Sequence, residues 1–323
     1  MDERSPIRIV PLDLPVDDPE LLALVWHKGS PWVGDIHRRL QGEYPGSRDR
    51  FFVAYDGSRP VALVWYTVRE AEPRLGLLGH VYTRPEHRRR RLATRLMETA
   101  MAEFARRGGV AMQLFTYNPQ TLPFYERLGF ETLYASRVMH ATDWYLRSPA
   151  GSKVLIDSWF APRACRVRPL AAGDLPQYCL LYNLEYRTRL KDRAQEIGLG
   201  LEAELAFIHS LEKTRQGKAA CAVADNGRTI VGIGSLAACG FPHQGHVGLV
   251  DYYTPPDFSE CAGQLAEAAL AERQTVGLEI VYALCVDEEK RRTFAALGFQ
   301  HLARLPGHYR VGEELVDADL YRL

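Results

Sequence analysis

The sequence predicts an α/β protein in which one plan is laid down twice along the chain. Three observations carry this. Strand-like apolar runs alternate with helical periodicity through both halves. Short motifs recur in the same order at a nearly constant spacing. The stretch Gly79 to Phe130 reads as strand, arginine-rich turn, long helix, second strand and short helix. At 323 residues the chain is long enough for two domains.

The repeats set the frame. Arg8-Ile-Val-Pro-Leu12 returns as Arg166-Val-Arg-Pro-Leu170, an offset of 158 residues. Asp56-Gly57 and Asn226-Gly227, each a hairpin turn between apolar strands, are offset by 170. Tyr82-Thr83-Arg84-Pro85 returns as Tyr253-Thr254-Pro255-Pro256, and Leu128-Gly129-Phe130 as Leu297-Gly298-Phe299. The jump in offset places the extra residues of the second copy between its first and second strands. The expected division is a first domain over 1–147, a linker over 148–163 containing Ser148-Pro-Ala-Gly-Ser152, and a second domain over 164–323.

In the first half, an opening strand precedes helices expected over Pro19–His27 and Asp35–Tyr44. Strands follow near Phe51–Tyr55, Val61–Val68 and Leu75–Thr83. Leu92, Leu96, Met97, Ala100, Met101 and Phe104 then recur at helical spacing and define one buried face. Gly108-Gly109 stops that helix. A strand near Ala111–Thr116, a short helix and closing strands complete the copy.

Composition excludes several classes. Hydrophobic residues make up 46% of the chain and charged ones 25%, as in ordinary globular proteins. Forty basic residues balance forty acidic ones, so no global field draws nucleic acid or an anionic membrane, and neither is expected as a partner. The start MDERSPIRIV lacks a secretory layout, no apolar run spans a bilayer, and a cytoplasmic location is expected. Cys165, Cys179, Cys221, Cys239, Cys261 and Cys285 all lie in the second half without CxxC spacing, which suits reduced core thiols. His243 and His246 lack further ligands nearby, so no metal is expected.

A strand that passes through a tight loop onto a helix start makes an anion cradle, because the first helical amides have no internal partner and the helix dipole adds positive charge there. In Gly79–Phe130 that loop is Arg88-Arg89-Arg90-Arg91-Leu92-Ala93, preceded by Val81-Tyr-Thr-Arg-Pro85 and followed by Asn118 and Phe124-Tyr125-Glu-Arg-Leu-Gly-Phe130. Together these residues resemble the GNAT superfamily of acyl-CoA-dependent N-acetyltransferases, whose signature loop is Gln/Arg-x-x-Gly-x-Gly/Ala. The resemblance covers essentially the whole first half and, more faintly, the second.

It implies a mixed α+β sheet in each copy, two tandem GNAT folds, and acetyl-CoA as cosubstrate. Val81, Tyr82 and Thr83 would border the pantetheine arm, laid along the fourth strand where it parts from the fifth. A Val81 or Tyr82 amide would polarise the thioester carbonyl. Amides of Arg89, Arg90, Arg91, Leu92, Ala93 and Thr94 would hold the pyrophosphate, with charge from Arg88 onward. Asn118 would contact the cosubstrate, and Tyr125 would protonate the departing thiolate. Arg91 stands where the family usually has its first loop glycine; a helical conformation there would accommodate arginine with its side chain outward.

Each residue also has a plainer use. Tyr125 suits packing beside Phe124 and Phe130, and Asn118 suits capping the following helix. His87–Arg91 suits a solvated face. For the general base, Gln113 stands where relatives use glutamate and cannot serve; His80 is the nearest titratable candidate, although strand alternation can turn it away from the site. Trp26, His27, Trp32 and Tyr44 lie in the segment that shapes the acceptor site in the family, and core packing explains them equally well.

The second half departs from the pattern. Its loop, Pro256-Asp-Phe-Ser-Glu-Cys-Ala262, carries two acids that would repel pyrophosphate. Asp287 falls where Asn118 would be, and Phe294 replaces Tyr125. A degenerate second fold without chemistry is expected, serving to stabilise the first, close over the acceptor, or form a homodimer. The reading is therefore an acetyl-CoA-dependent N-acetyltransferase acting on a primary amine, a small-molecule acceptor, by direct attack, since the first half has no cysteine to carry an acyl group. The alternatives are a protein or peptide N-acetyltransferase and a non-catalytic CoA-binding regulator.

Overall fold

Alternating apolar runs closed by two-residue turns give each half of the chain one seven-stranded sheet. The computed structural model describes residues 6–138, 141–148, 153–183, 190–192, 197–198, 203–311 and 313–323. The chain divides into two compact units. The first comprises Met1–Ile156 with Ala171–Leu180, and the second Asp157–Leu170 with Leu181–Leu323.

The first unit runs β1 (Arg8–Pro11), α1 (Pro19–Ala23), α2 (Trp32–Leu40), β2 (Ser47–Asp56), β3 (Arg59–Arg69), β4 (Glu72–Thr83), α3 (Leu92–Arg106), β5 (Ala111–Thr116), α4 (Leu122–Arg127), β6 (Glu131–Val138) and β7 (Ala141–Ser148). Its strands lie in the order β1-β2-β3-β4-β5-β7-β6. The β4–β5 pair is parallel and the others are antiparallel, so the sheet is mixed. The expected helix over Pro19–His27 is split. Asp18 caps α1 through Glu20 N at 2.9 Å, α1 ends at Ala23, and a separate 3₁₀ turn covers Trp26–Lys28. The second expected helix begins earlier, at Trp32, and ends at Leu40.

One sheet face packs on α3 and α4. Leu92, Leu96, Met97, Ala100 and Phe104 meet Phe52, Ala54, Val64, Tyr66 and Leu78 there, each large side chain contributing about 1.5–3 kcal/mol on burial. Glycine at position 109 is required by this packing, since a Cβ would stand 2.4 Å from the Phe104 ring. The opposite face packs on α1 and α2 around Leu21, Ile36, Leu40, Phe51, Val53 and Leu63. Residues 171–180 complete the first unit. Asp174 lies 3.5 Å from Arg69, and a Cβ on Gly173 would meet the Gly46 carbonyl at 2.1 Å.

The second unit uses α5 (Lys153–Trp159), which begins in the first unit, β8 (Arg166–Pro169), the C-terminal end of α6 (Leu175–Asn183), β9 (Leu190–Asp192), β10 (Ile197–Gly198), α7 (Ala203–Arg215), β11 (Ala219–Asp225), β12 (Ile230–Ala238), β13 (Val247–Tyr253), α8 (Ala262–Ala271), β14 (Ile280–Cys285), α9 (Glu288–Ala296), β15 (Gln300–Val311) and β16 (Glu314–Arg322). Its sheet runs β8-β11-β12-β13-β14-β16-β15, again with one parallel pair, β13–β14. This is the succession of the first sheet, strand for strand. The β9–β10 ribbon falls between β8 and β11, the interval in which the repeat offset jumps. Within the expected linker, 149–152 lie outside the described residues and Lys153–Trp159 is helical. All six cysteines are free thiols, and Cys179, Cys221, Cys261 and Cys285 are buried. No described helix is long and apolar enough to cross a membrane.

Candidate active site

Strand β4 carries the centre of the site because it loses its partner on one side. Leu75, Gly76 and Leu77 pair with Ala111, Met112 and Gln113 of β5. Beyond them β4 continues to Thr83 against β3 alone, while β5 turns to β7. Main-chain groups along the Leu78–Thr83 edge are thereby left for another extended chain. On the β3 side the register breaks. Trp65 faces Gly79 and Leu63 faces Tyr82, so His80 and Val81 together oppose Val64. This is a β-bulge, with His80 at φ 54°. It interrupts side-chain alternation and re-aims the amides of Val81 and Tyr82.

The bulge answers where His80 points. Its ring stacks on Trp65 (4.8 Å between centroids) and meets the edge of Trp32 (5.9 Å). Only 3% of the residue is exposed, and neither ring nitrogen has a hydrogen-bond partner. Desolvation holds its pKa well below the ordinary histidine value, and the Lys28, Arg39 and His27 charges push the same way. The imidazole is neutral at pH 7.

Trp65 is held in turn by a buried network that sequence reasoning missed. Its indole N–H donates to Asp49 (2.8 Å), Arg39 donates to Asp35 (2.6 Å) and Asp49 (2.9 Å), and the Tyr44 hydroxyl donates to Asp35 (2.7 Å). The i,i+4 spacing of Asp35 and Arg39 on α2 was the available signal. Gln113, the position of the missing glutamate, donates to the Pro176 carbonyl at 2.6 Å.

The loop after β4 turns through a 3₁₀ segment, Pro85–His87, into α3. Arg89 (φ 61°) and Arg91 (φ 57°) are both left-handed. Arg91 is thus not helical: it takes the conformation for which the glycine is normally used, at a cost of about 1–2 kcal/mol for a residue with a Cβ. Arg91 is also the N-cap of α3 and makes no side-chain cap bond, and no acid stands in the first turn. The leading amides of α3 therefore face a depression of about 280 Å³ lined by Thr83, Arg88, Arg89, Arg91, Ala93 and Thr94, among others. Left-handed residues and uncapped amides of this kind suit a phosphate group. Arg88 donates to the Thr83 carbonyl (3.2 Å), whereas Arg90 lies 3.8 Å from Asp56, which also holds His87 (3.0 Å).

Tyr125 on α4 is 8% exposed and packs edge-on against Phe124 and Phe130. Desolvation pushes its phenol up to about 12, and among the described residues the hydroxyl has no hydrogen-bond partner. Asn118 caps the 3₁₀ turn Pro119–Thr121, accepting from Gln120 N at 3.0 Å. That bond uses the oxygen and leaves its amide N–H groups exposed. Among the described residues, no cluster of histidine, cysteine and acidic side chains suits a metal ion.

The corresponding place in the second unit is built differently. The β12–β13 register is unbroken from Ile233–Tyr253 to Ala238–Gly248, so there is no bulge. No described non-glycine residue between 253 and 262 has positive φ. Where β13 parts from β14, Lys290 donates to Asp251 (2.5 Å) and the Tyr252 hydroxyl bonds Thr293 (3.0 Å), tying α9 to the strand. Asp287 caps α9 through Lys290 N, and Phe294 is fully buried.

A family-model match falls within the first unit. Residues 47–132 match the model of the acetyltransferase (GNAT) domain. No curated protein matches the sequence. Among solved structures, a GNAT superfamily phosphinothricin acetyltransferase from Sinorhizobium meliloti in complex with AcCoA is similar at 16% identity, over 50% of this chain and 88% of that one, with a TM-score of 0.42. A ribosomal-protein-alanine N-acetyltransferase from Brucella melitensis is similar at 16% identity, over 49% and 98%, with a TM-score of 0.41. The stretch from β2 through the bulge and the arginine loop to the start of β6 is thus the part of the chain that is similar to a GNAT acetyltransferase domain.

Proposed function

We propose that the first unit transfers an acetyl group from acetyl-CoA to a primary amine of a small molecule, by direct attack. The observation that carries this reading is the joint presence, on one strand and loop, of a bulged free edge and an uncapped helix start. The amides from Arg89 through Thr94 would hold the pyrophosphate, and Arg88, Arg89 and Arg91 add positive charge to that cradle. The Val81–Thr83 edge would pair with the pantetheine arm, and the exposed amide of Asn118 would reach the same arm.

The chemistry then falls to two groups and solvent. Solvent takes the proton of the acceptor ammonium, because the ring nitrogens of His80, the expected base, are buried and too weakly basic to accept it. A Val81 or Tyr82 amide stabilises the negative charge that grows on the thioester oxygen. A bond forms from nitrogen to the acyl carbon as the carbon–sulfur bond breaks. Tyr125, protonated at every physiological pH, gives its proton to the sulfur and recovers one from the nascent amide. One proton is released overall. We read the second unit as non-catalytic, because its own side chains bridge the gap between strand and helix and a buried phenylalanine replaces the phenol.

The test is thiol release from acetyl-CoA with a panel of amines. Tyr125→Phe should lower kcat by about 10²–10⁴-fold, the range for a general acid, while coenzyme A still binds by calorimetry. Unchanged turnover across pH would remove Tyr125 from the mechanism.

A further inference from the structure

The two units diverge between β2 and α3 of the first and the corresponding β11 and α8 of the second. In the first unit Arg50 of β2 donates to the Glu103 carboxylate of α3 at 2.9 Å, and Arg107 donates to the same oxygen at 2.7 Å. Strand register identifies the matching positions. Phe52 faces Pro11 and Val64 as Ala222 faces Pro169 and Gly234, so Ala222 stands for Phe52 and, two residues back, Ala220 stands for Arg50. The helix ends match as well. Arg107 N bonds the Glu103 carbonyl (3.0 Å) just before Gly108 at φ 85°, and Val276 N bonds the Glu272 carbonyl (2.9 Å) just before Gly277 at φ 78°. Glu272 therefore stands for Glu103, with Ala220 and Val276 in place of both its arginine partners.

The exchange of large side chains for small ones leaves room. A cavity of about 300 Å³ is lined by Ala220, Ala222, Ala268, Glu272 and Val276, with Val167 of β8 beside them. Its wall is mainly aliphatic, and its size suits a small molecule. Two charged side chains belong to the described lining. Arg168 is engaged by Asp225 at 2.8 Å and by the Pro169 carbonyl at 3.0 Å. Glu272 has no ion pair or side-chain hydrogen bond among the described residues, and it is exposed, which places it where the cavity meets solvent. The uncompensated charge at this cavity is negative.

We infer that the second unit binds a small alkylguanidinium. The aliphatic body lies on Ala220, Ala222 and Val276, and the guanidinium meets the Glu272 carboxylate as the Arg50 side chain meets Glu103 in the first unit. Titration calorimetry of the full chain tests this with n-butylguanidinium, the bare guanidinium ion and butyrate. Butylguanidinium should bind with a Kd of about 1 mM or tighter, and the other two at least about tenfold more weakly, since one lacks the body and the other has the wrong charge. Glu272→Gln should weaken butylguanidinium by about tenfold, the worth of one charge-assisted contact, with the unfolding midpoint unmoved because the position is exposed. Ala220→Arg, which supplies the first unit's own occupant, should abolish binding. In the native chain the affinity should fall as salt rises.

Absence of heat with butylguanidinium up to about 10 mM overturns the inference, as does butyrate binding equally well. An affinity that survives both Glu272→Gln and Ala220→Arg places the binding elsewhere and overturns it too. Each of these results leaves the acetyltransferase reading of the first unit standing.

Discussion

The two sheets share one strand order, yet among the described residues the bulged strand and the uncapped, left-handed loop belong to the first. In β4 the register slips and His80 and Val81 bulge; in β13 the register against β12 is unbroken from Gly248 to Tyr253. The first loop holds two left-handed arginines before an uncapped helix, and the second loop has neither the conformation nor the charge. The first unit leaves the parted strand edge open, and the second ties it to α9 with an ion pair and a hydrogen bond. The lesson is that hydrophobic packing specifies the architecture, while a few main-chain distortions and unfilled gaps specify the chemistry. Those distortions can be lost without losing the fold.

The comparison can be broken at the second unit's ion pair. Lys290 and Asp251 are 4% and 1% exposed, so Lys290→Met leaves a buried carboxylate without its ammonium. The second unit should lose about 3–5 kcal/mol in denaturant unfolding, and replacing Asp251 by a hydrophobic residue as well should restore most of it. An effect below about 1 kcal/mol would mean that the tie is incidental.

His80 sharpens it through pH. Its folded pKa is depressed, so its contribution to stability is present above the unfolded value near 6.5 and is lost as pH falls below it, where the unfolded chain takes a proton the folded chain refuses. Stability should fall between pH 6.5 and 5 with a slope of at most about 1.4 kcal/mol per pH unit from this group. His80→Phe should flatten that slope, and an unchanged slope would place the titration elsewhere. The smallest effect is expected at the loop. Arg91→Gly relieves the left-handed strain and should stabilise the first unit by about 1 kcal/mol with coenzyme A affinity changed less than tenfold. A larger loss of affinity would assign the grip to the guanidinium rather than the main chain.

Much of this was legible in the residues. Alternation and turn dipeptides marked the strands, Leu92 to Phe104 marked the buried face of α3, and the recurring motifs anticipated the repeated strand order. What stayed hidden depends on pairing at a distance. The bulge at His80 exists only in the register of β4 against β3, and nothing local to Gly79-His80-Val81 announces it. The left-handed setting of Arg91 runs against the preference of its side chain, so the propensity of the residue pointed the wrong way. The Asp49–Trp65 bond joins neighbouring strands and Gln113 meets Pro176 across 63 positions; neither pairing leaves a short-range trace.

Residues 171–180 have a consequence for how the chain can be divided. Gly173 sits so close to Gly46 that no side chain fits between them, and this decapeptide follows β8, which belongs to the other unit. The peptide chain therefore crosses the border three times, and no single cut yields two whole pieces. A fragment ending near the apparent junction would lack the carbonyl that Gln113 holds and the carboxylate beside Arg69. Shuffling or separate expression of the halves has to respect an exchange of segments, not a boundary.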